Sequence, residues 1–121
     1  MTQNNSQGTA NDAKEVVLSF IKALNEEDYN AGRKYVNDDL LFVGVLGSRE
    51  GAEVYFSDME RMRIKYKIEK SFVDGDDVCL LYDILIGGVT TYGSGWYRLV
   101  DGRISSIKVV FDPRPLLENA K

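Results

Sequence analysis

The chain has 121 residues, 44% of them hydrophobic, and carries 15 Lys and Arg against 19 Asp and Glu. This length fits one domain with one core, and a net charge of −4 gives no electrostatic reason to expect nucleic acid or an anionic membrane as a partner. The sequence has no histidine and one cysteine. It therefore disfavours zinc sites, histidine-based catalysis and an internal disulfide.

The N-terminal region predicts a disordered segment followed by two helices. Residues 1–11 are polar and rich in small side chains, a composition typical of a disordered terminus. A capping-box pattern begins at Asp12, and apolar residues then recur at helical intervals as far as Leu24. After an acidic break, a shorter helix is predicted from Asp28 to Val36, and it ends at the turn-forming residues 37–39.

A strand and a third helix come next. The compact apolar run from Leu40 to Leu46 predicts a buried strand, which Gly47 and Ser48 close. From Gly51 to Met62, apolar and aromatic residues recur at helical spacing. This pattern predicts an amphipathic helix.

Four more strands are predicted in the second half of the chain. Residues from Arg63 to Val73 alternate apolar with charged side chains, and the run from Val78 to Ile86 is almost continuously apolar. The stretch from Val89 to Asp112 predicts two strands joined by a tight turn at Asp101-Gly102, because an Asp-Gly pair between apolar runs is a strong hairpin signal. We expect this hairpin at the centre of the sheet.

The order of elements predicts one α+β domain over residues 12–116, followed by a tail over residues 117–121. Three helices are expected to cover one face of a single curved, mostly antiparallel sheet, which makes a roll that encloses a pocket. Pro113 ends strand pairing because proline cannot donate to a ladder. Gly93 and Gly95 predict a bend in the sheet or a close approach to its backbone.

Three segments resemble the nuclear transport factor two-like, or SnoaL-like, α+β barrel proteins. They are AKEVVLSFIKALNEEDYNAGRKYVNDD, LGSREGAEVYFSDM and GWYRLVDGRISSIKVVFDPRP. The resemblance implies a cystatin-like conical fold with a deep pocket and dimerisation through the outer face of the sheet. It also implies a function within a range from isomerases, cyclases and hydrolases to non-catalytic binding of ligands or partners.

The catalytic groups of the known enzymes in this family are missing at the matching positions. Ketosteroid isomerase relatives use an aspartate base, an oxyanion tyrosine and a protonated aspartate, and an alignment places Gly44, Phe20 and Gly95 there. Limonene epoxide hydrolase relatives use an Arg-x-Asp pair, which neither hairpin strand contains, and SnoaL-like cyclases usually need a histidine. The resemblance thus implies a small-molecule-binding protein without the catalytic residues of those relatives, and leaves open whether it is an enzyme.

Strand alternation and the family alignment predict which aromatic side chains line the pocket. If Gly95 faces inward, its neighbours two residues apart on the same strand share that face. An apolar, aromatic pocket suits a hydrophobic small molecule oriented by hydrogen bonds to tyrosine, and plain core filling is the alternative. The predicted ligand-binding residues are Phe20, Tyr35, Phe42, Tyr55, Met59, Tyr82, Thr91, Tyr97 and Phe111.

The same alternation predicts a face of the sheet that points away from the helices. Aromatic and arginine side chains are enriched in protein interfaces, where opposite charges can pair. We therefore expect a homodimer through the outer face, around Asp83, Trp96 and Arg98. The outward residues are Cys79, Asp83, Trp96, Arg98, Lys108 and Asp112.

Two other functions remain open. A cyclase or isomerase could use Tyr82 or Tyr97 with Asp112, provided that the last strand bulges so that Asp112 turns inward and its carboxyl pKa is raised. An interaction module would bind its partner on the sheet or at the pocket mouth. No metal or cofactor is predicted, and the absence of a membrane-length apolar run or a signal-type segment predicts a cytoplasmic protein.

Overall fold

The structure, a computed structural model, describes the backbone of residues 2–119 and the side chains of residues 12–118. Its helices are α1 (Thr2–Asn25), α2 (Tyr29–Arg33), α3 (Ala52–Met62) and α4 (Arg114–Asn119). Its strands are β1 (Val36–Gly44), β2 (Gly47–Glu50), β3 (Lys65–Asp74), β4 (Asp77–Ile86), β5 (Val89–Val100) and β6 (Arg103–Phe111). None of the helices in the described residues is long and apolar enough to cross a membrane.

The six strands form one curved, unclosed sheet in the order β2-β1-β6-β5-β4-β3. β1 runs parallel to β6, and every other neighbouring pair is antiparallel. The predicted α+β fold, its four-stranded meander and the central position of the β5–β6 hairpin are confirmed.

Alternation along β4 and β5 separates a buried face from an outer face. Tyr82 and Leu80 on β4 are buried together with Gly95 and Tyr97 on β5, whereas the residues between them are exposed or half-buried. This confirms the predicted register, because side chains two residues apart share a face of a strand. The apolar stripe of α1 packs on the buried face, with Phe20 among its fully buried side chains.

The second helix is shorter than predicted, and the turn predicted after it is wrong. Asp28 caps α2 by accepting a hydrogen bond from the Ala31 amide at 3.1 Å, but the helix ends at Arg33. Val36 already pairs with Ile104 of β6, and residues 37–39 belong to β1. The flanking residues Val36 and Leu41 both pair with β6, with a register shift between them, and this pairing outweighs the local turn preference of Asn and Asp.

Two elements were not predicted. β2 pairs antiparallel with β1 after a turn at residues 45–46, so the strand predicted over Leu40 to Leu46 ends earlier, at Gly44, and Gly47 starts the next strand. All four residues of β2 are exposed, which leaves no apolar alternation to detect. The C-terminal segment forms α4, which accommodates Pro115 because the first turn of a helix does not need that backbone N–H.

The N-terminal helix begins before its predicted start at Asp12, since α1 extends from Thr2. Met1 and the side chains of residues 2–11 lie outside the described part of the chain. A disordered segment over residues 1–11 and a domain bounded at residues 12 and 116 therefore stay predictions. Of the predicted tail, Ala120 and Lys121 lie outside the described residues.

Candidate ligand-binding cavity

A cavity of about 80 Å³ lies between α3 and the sheet, and we call it the α3 cavity. Its wall is mostly apolar, with one acidic and one basic side chain. It is lined by Phe42, Arg49, Tyr55, Asp58, Met59, Met62, Ile64, Tyr66, Ile84, Ile86, Val109 and Phe111.

Helical and strand periodicity place these side chains around one space. On α3, the positions Tyr55, Asp58, Met59 and Met62 recur at intervals of three and four residues and so share a face of the helix. Opposite them, the paired strands contribute residues two apart, such as Ile84 and Ile86 on β4. The helical period of α3 and the two-residue period of the strands thus bring these side chains to the faces that line the cavity.

The α3 cavity has a buried end and an exposed end. Tyr55, Met59 and Ile84 are buried and form the inner part of the wall. Met62 is 38% exposed, and the side chain of Arg49 is 53% exposed. The apolar space therefore opens to solvent where Met62 and Arg49 stand, and we call this opening the mouth.

An ion pair crosses the mouth from β2 to α3. The Nε of Arg49 donates a hydrogen bond to Oδ2 of Asp58 at 2.7 Å, and Arg61 Nη2 donates to Oδ1 of the same carboxylate at 3.1 Å. Sequence reasoning missed both Arg49 and Asp58. The position of Asp58 on the same helical face as Tyr55 and Met59 was a detectable signal, whereas Arg49 lies on the unpredicted strand β2.

Of the predicted ligand-binding residues, Phe42, Tyr55, Met59 and Phe111 line the α3 cavity. The others lie elsewhere, and the ligand-binding role of all nine stays a prediction. Phe20, Tyr82 and Tyr97 are at most 1% exposed and fill the core, Tyr35 is half-buried in the connection between α2 and β1, and Thr91 is buried on β5.

Two core tyrosines hydrogen-bond to each other beneath the cavity wall. The hydroxyls of Tyr82 and Tyr97 lie 2.8 Å apart, and burial raises the pKa of both phenols above the ordinary value. Burial also raises the pKa of Tyr55 and Tyr66. All four are neutral at physiological pH, so they can donate and accept hydrogen bonds but do not supply a phenolate base.

The carboxylate of Asp112 is held outside the cavity wall by Arg114. Arg114 Nη2 donates to Oδ2 of Asp112 at 2.7 Å, and hydrogen bonds from the side chain and backbone of Arg114 lower the Asp112 pKa to about 2. The backbone carbonyl of Asp112 accepts a hydrogen bond from Thr91 Oγ1 at 2.9 Å. The catalytic alternative requires an inward Asp112 carboxyl with a raised pKa. In this structure the carboxylate is paired with Arg114 and its pKa is lowered.

Among the described side chains, those of residues 12–118, no group of three or more His, Cys, Asp or Glu comes together. The carboxylate nearest the cavity, Asp58, is already bound by two guanidinium groups. Both oxygens of this carboxylate therefore already accept a hydrogen bond.

No family model matches the chain. No curated protein matches it either. Among solved structures, it is similar to an NTF2-like protein of unknown function from Cytophaga hutchinsonii, with 48% sequence identity and a TM-score of 0.86. That match covers 87% of this chain and 94% of the other.

More distant structures share the fold. One is an LEH-like epoxide hydrolase from Mycobacterium tuberculosis, with 24% identity, a TM-score of 0.79, and coverage of 90% of this chain and 89% of the other. Another is a candidate SnoaL-like polyketide cyclase from Shewanella denitrificans, with 18% identity, a TM-score of 0.77, and coverage of 89% and 96%. At these low identities, the similarity shows a shared arrangement of helices and sheet and nothing more.

Proposed function

Since the chain belongs to the NTF2-like family, we propose that it binds a small, largely apolar molecule in the α3 cavity. The observation that carries this proposal is an apolar space that begins among buried side chains, such as Met59 and Ile84, and opens to solvent beside Met62. Ligand sites are typically concave and apolar, with a few polar groups that fix orientation.

The size of the α3 cavity limits the ligand. A volume of about 80 Å³ holds roughly five to eight non-hydrogen atoms, since about 10–15 Å³ of such cavity volume accommodates one water. The core aromatics Phe20, Tyr82 and Tyr97 occupy the space that a larger ring system would need. We therefore propose a compact ligand or the end of a longer chain, in place of the flat ring compound that an open aromatic pocket would take.

We propose binding without catalysis. The family resemblance places Phe20, Gly44 and Gly95 at the positions that carry the catalytic groups in ketosteroid isomerase relatives, and none of these three side chains is an acid or a base. Both oxygens of the carboxylate in the cavity wall, Asp58, already accept hydrogen bonds, one from Arg49 and one from Arg61.

We also propose that two copies of the chain associate through the outer face of the sheet. Phe72, Cys79, Trp96 and Lys108 lie side by side across β3 to β6, and Trp96 and Phe72 remain exposed there. Charges of both signs border this row, among them the pair of Arg98 and Asp77 at 3.8 Å. A face with an exposed tryptophan and mixed charges is complementary to a second copy of itself across a two-fold axis.

Methionine methyl signals in NMR spectra test the binding proposal directly, because Met59 and Met62 both line the α3 cavity. We expect 1-pentanol to shift both signals saturably. The variant Val109→Phe places a larger side chain into the cavity and should abolish the shifts. Val110→Phe is the matched control, since Val110 faces outward on the same strand and is 61% exposed. Saturable shifts that persist in Val109→Phe would overturn the proposal, as would their absence in the unmodified protein.

A further inference from the structure

We infer that the ligand of the α3 cavity is a carboxylate whose apolar part enters the cavity and whose charged group binds Arg49 at the mouth. The inference rests on the proposed function and names the chemical class of the ligand. Three features of the mouth carry it: the position of Arg49, the charge balance around Asp58, and the hydrogen-bond donors that Arg49 has free.

Arg49 stands where an amphipathic ligand changes from apolar to polar. Its side chain is part of the cavity wall and is also 53% exposed. A carboxylate bound there stays hydrated, so it avoids most of the cost of burying a charge. The apolar part meanwhile contacts the buried side chains of Met59 and Ile84. A ligand with a short apolar chain and a terminal carboxylate matches this change from a buried apolar wall to an exposed, charged mouth.

The charges at the mouth do not cancel. Asp58 is the single carboxylate between two guanidinium groups, those of Arg49 and Arg61. One positive charge therefore remains among these three side chains. Because opposite charges attract most strongly at short range and in partly buried positions, this excess favours an anion at the mouth over a neutral or cationic group.

Arg49 retains donors for such an anion. It contacts Asp58 through Nε, and within the described residues neither of its Nη groups donates a hydrogen bond. A planar guanidinium presents its N–H groups as a fork that a carboxylate accepts in pairs. Arg61, by contrast, uses Nη1 and Nη2 for Asp58 and does not line the cavity. The free fork thus belongs to the arginine that the ligand can reach.

Three probes of equal chain length test the inference through the Met59 and Met62 methyl signals: pentanoate, 1-pentanol and pentylammonium at neutral pH. We expect pentanoate to bind up to about five-fold more tightly than 1-pentanol, the upper end of the gain from a solvent-exposed ion pair. Pentylammonium should bind more weakly than 1-pentanol. Sodium chloride at about 0.5 M should weaken pentanoate binding and leave 1-pentanol unaffected, because salt screens exposed charges.

Two matched variants distinguish a specific role of Arg49 from the effect of the overall positive charge at the mouth. Arg49→Gln should abolish the preference for pentanoate while 1-pentanol still binds, whereas Arg61→Gln removes the same charge from the same partner and should retain at least part of the preference. Circular dichroism would establish that both variants fold, and the salt titration needs no variant.

The outcomes distinguish the two proposals. If 1-pentanol and pentanoate bind equally well, or if Arg61→Gln loses the preference as fully as Arg49→Gln, the role of Arg49 is wrong and the binding function stands. If none of the three probes shifts the methionine signals, both the binding function and the carboxylate inference are wrong.

Discussion

The hydroxyl groups of Tyr82 and Tyr97 lie 2.8 Å apart in the core, directly over the backbone of Gly95. The two tyrosines come from neighbouring strands, β4 and β5, and both are almost completely buried. A Cβ atom on Gly95 would stand 2.2 Å from the Tyr82 hydroxyl oxygen and 2.9 Å from that of Tyr97. The hydrogen bond between the phenols therefore requires a residue without a side chain at position 95.

We expect the two phenols to depend on each other energetically. Tyr82→Phe or Tyr97→Phe leaves the other hydroxyl buried without this partner, which should lower the free energy of unfolding by about 1–3 kcal/mol. The double variant leaves no unpaired phenol at this position, so its loss should be clearly smaller than the sum of the single losses. Urea unfolding of the four proteins measures this coupling.

Tyr92→Phe is the matched control for these variants, because Tyr92 is exposed on the outer face of β5. Its free energy of unfolding should stay within about 0.5 kcal/mol of the unmodified protein. Strictly additive losses for Tyr82→Phe and Tyr97→Phe would show that the hydrogen bond contributes nothing.

Gly95→Ala should destabilise the fold by steric conflict. The added methyl group would stand 2.7 Å from Cε1 of Tyr97 as well as against both hydroxyls, so the tyrosines must move from their packed positions. Overpacking of this kind typically costs about 1–3 kcal/mol. Urea unfolding measures the loss. Gly32→Ala is the control, since a Cβ on Gly32 meets its nearest neighbour, Phe56, at 3.4 Å. A Gly95→Ala protein as stable as Gly32→Ala would contradict the close approach.

Alkaline pH should destabilise the protein through the same pair. Burial raises the pKa of Tyr82 and Tyr97 above that of unfolded tyrosine. The folded state therefore keeps protons that the unfolded state releases, so stability is full below about pH 10 and is lost as the pH rises beyond it. Urea midpoints across this range, with phenolate absorbance recorded in parallel, measure the loss.

Variants assign this alkaline loss to the buried pair. The double Phe variant at positions 82 and 97 should lose stability less steeply as the pH rises. Tyr92→Phe removes an exposed phenol and should retain the slope of the unmodified protein. An equally steep loss in the double variant would mean that other groups cause it.

Buried and exposed side chains alternate along β4 and β5, so the inward and outward faces of the sheet could be predicted from the sequence. The depth of the pocket could not be predicted. Leu80 and Trp96 lie on the faces that their positions predicted, since a strand's period of two residues fixes the side. How far an inward side chain reaches depends on what stands opposite. The absence of a side chain at Gly95 lets the hydroxyls of Tyr82 and Tyr97 occupy space that the sequence suggested was open.

The charged mouth of the α3 cavity illustrates a second limit. Arg49 belongs to a strand of four exposed residues, GSRE, which has no apolar alternation and forms because it pairs with β1. Its ion pair with Asp58 joins residues that only the tertiary fold brings together. By contrast, Tyr55 and Met59 followed from helical spacing alone. The apolar part of the cavity was thus partly predictable, and its polar entrance was not.

The proposed dimer provides the last prediction, because its interface would centre on Trp96. Trp96 is 43% exposed, its Nε1 donates to Asp77 at 2.8 Å, and the Lys108 ammonium lies 5.1 Å from the centre of its ring. These contacts hold a large aromatic surface in a fixed orientation on the outer face, which reduces the entropy that association costs. Central tryptophans of this kind often contribute about 2 kcal/mol or more to binding.

We therefore expect size-exclusion chromatography with light scattering to find a dimer, and Trp96→Lys to shift it to the monomer at micromolar concentration. Val54→Lys is the matched control: Val54 is exposed to a similar degree, at 45%, but lies on α3, on the opposite side of the sheet from Trp96. It should remain dimeric. A monomeric unmodified protein, or a Trp96→Lys variant that dimerises as well as Val54→Lys, would show that the outer face does not join two copies. Binding of 1-pentanol by monomeric Trp96→Lys should be unchanged, because the α3 cavity lies on the other face of the sheet and takes its whole lining from one chain.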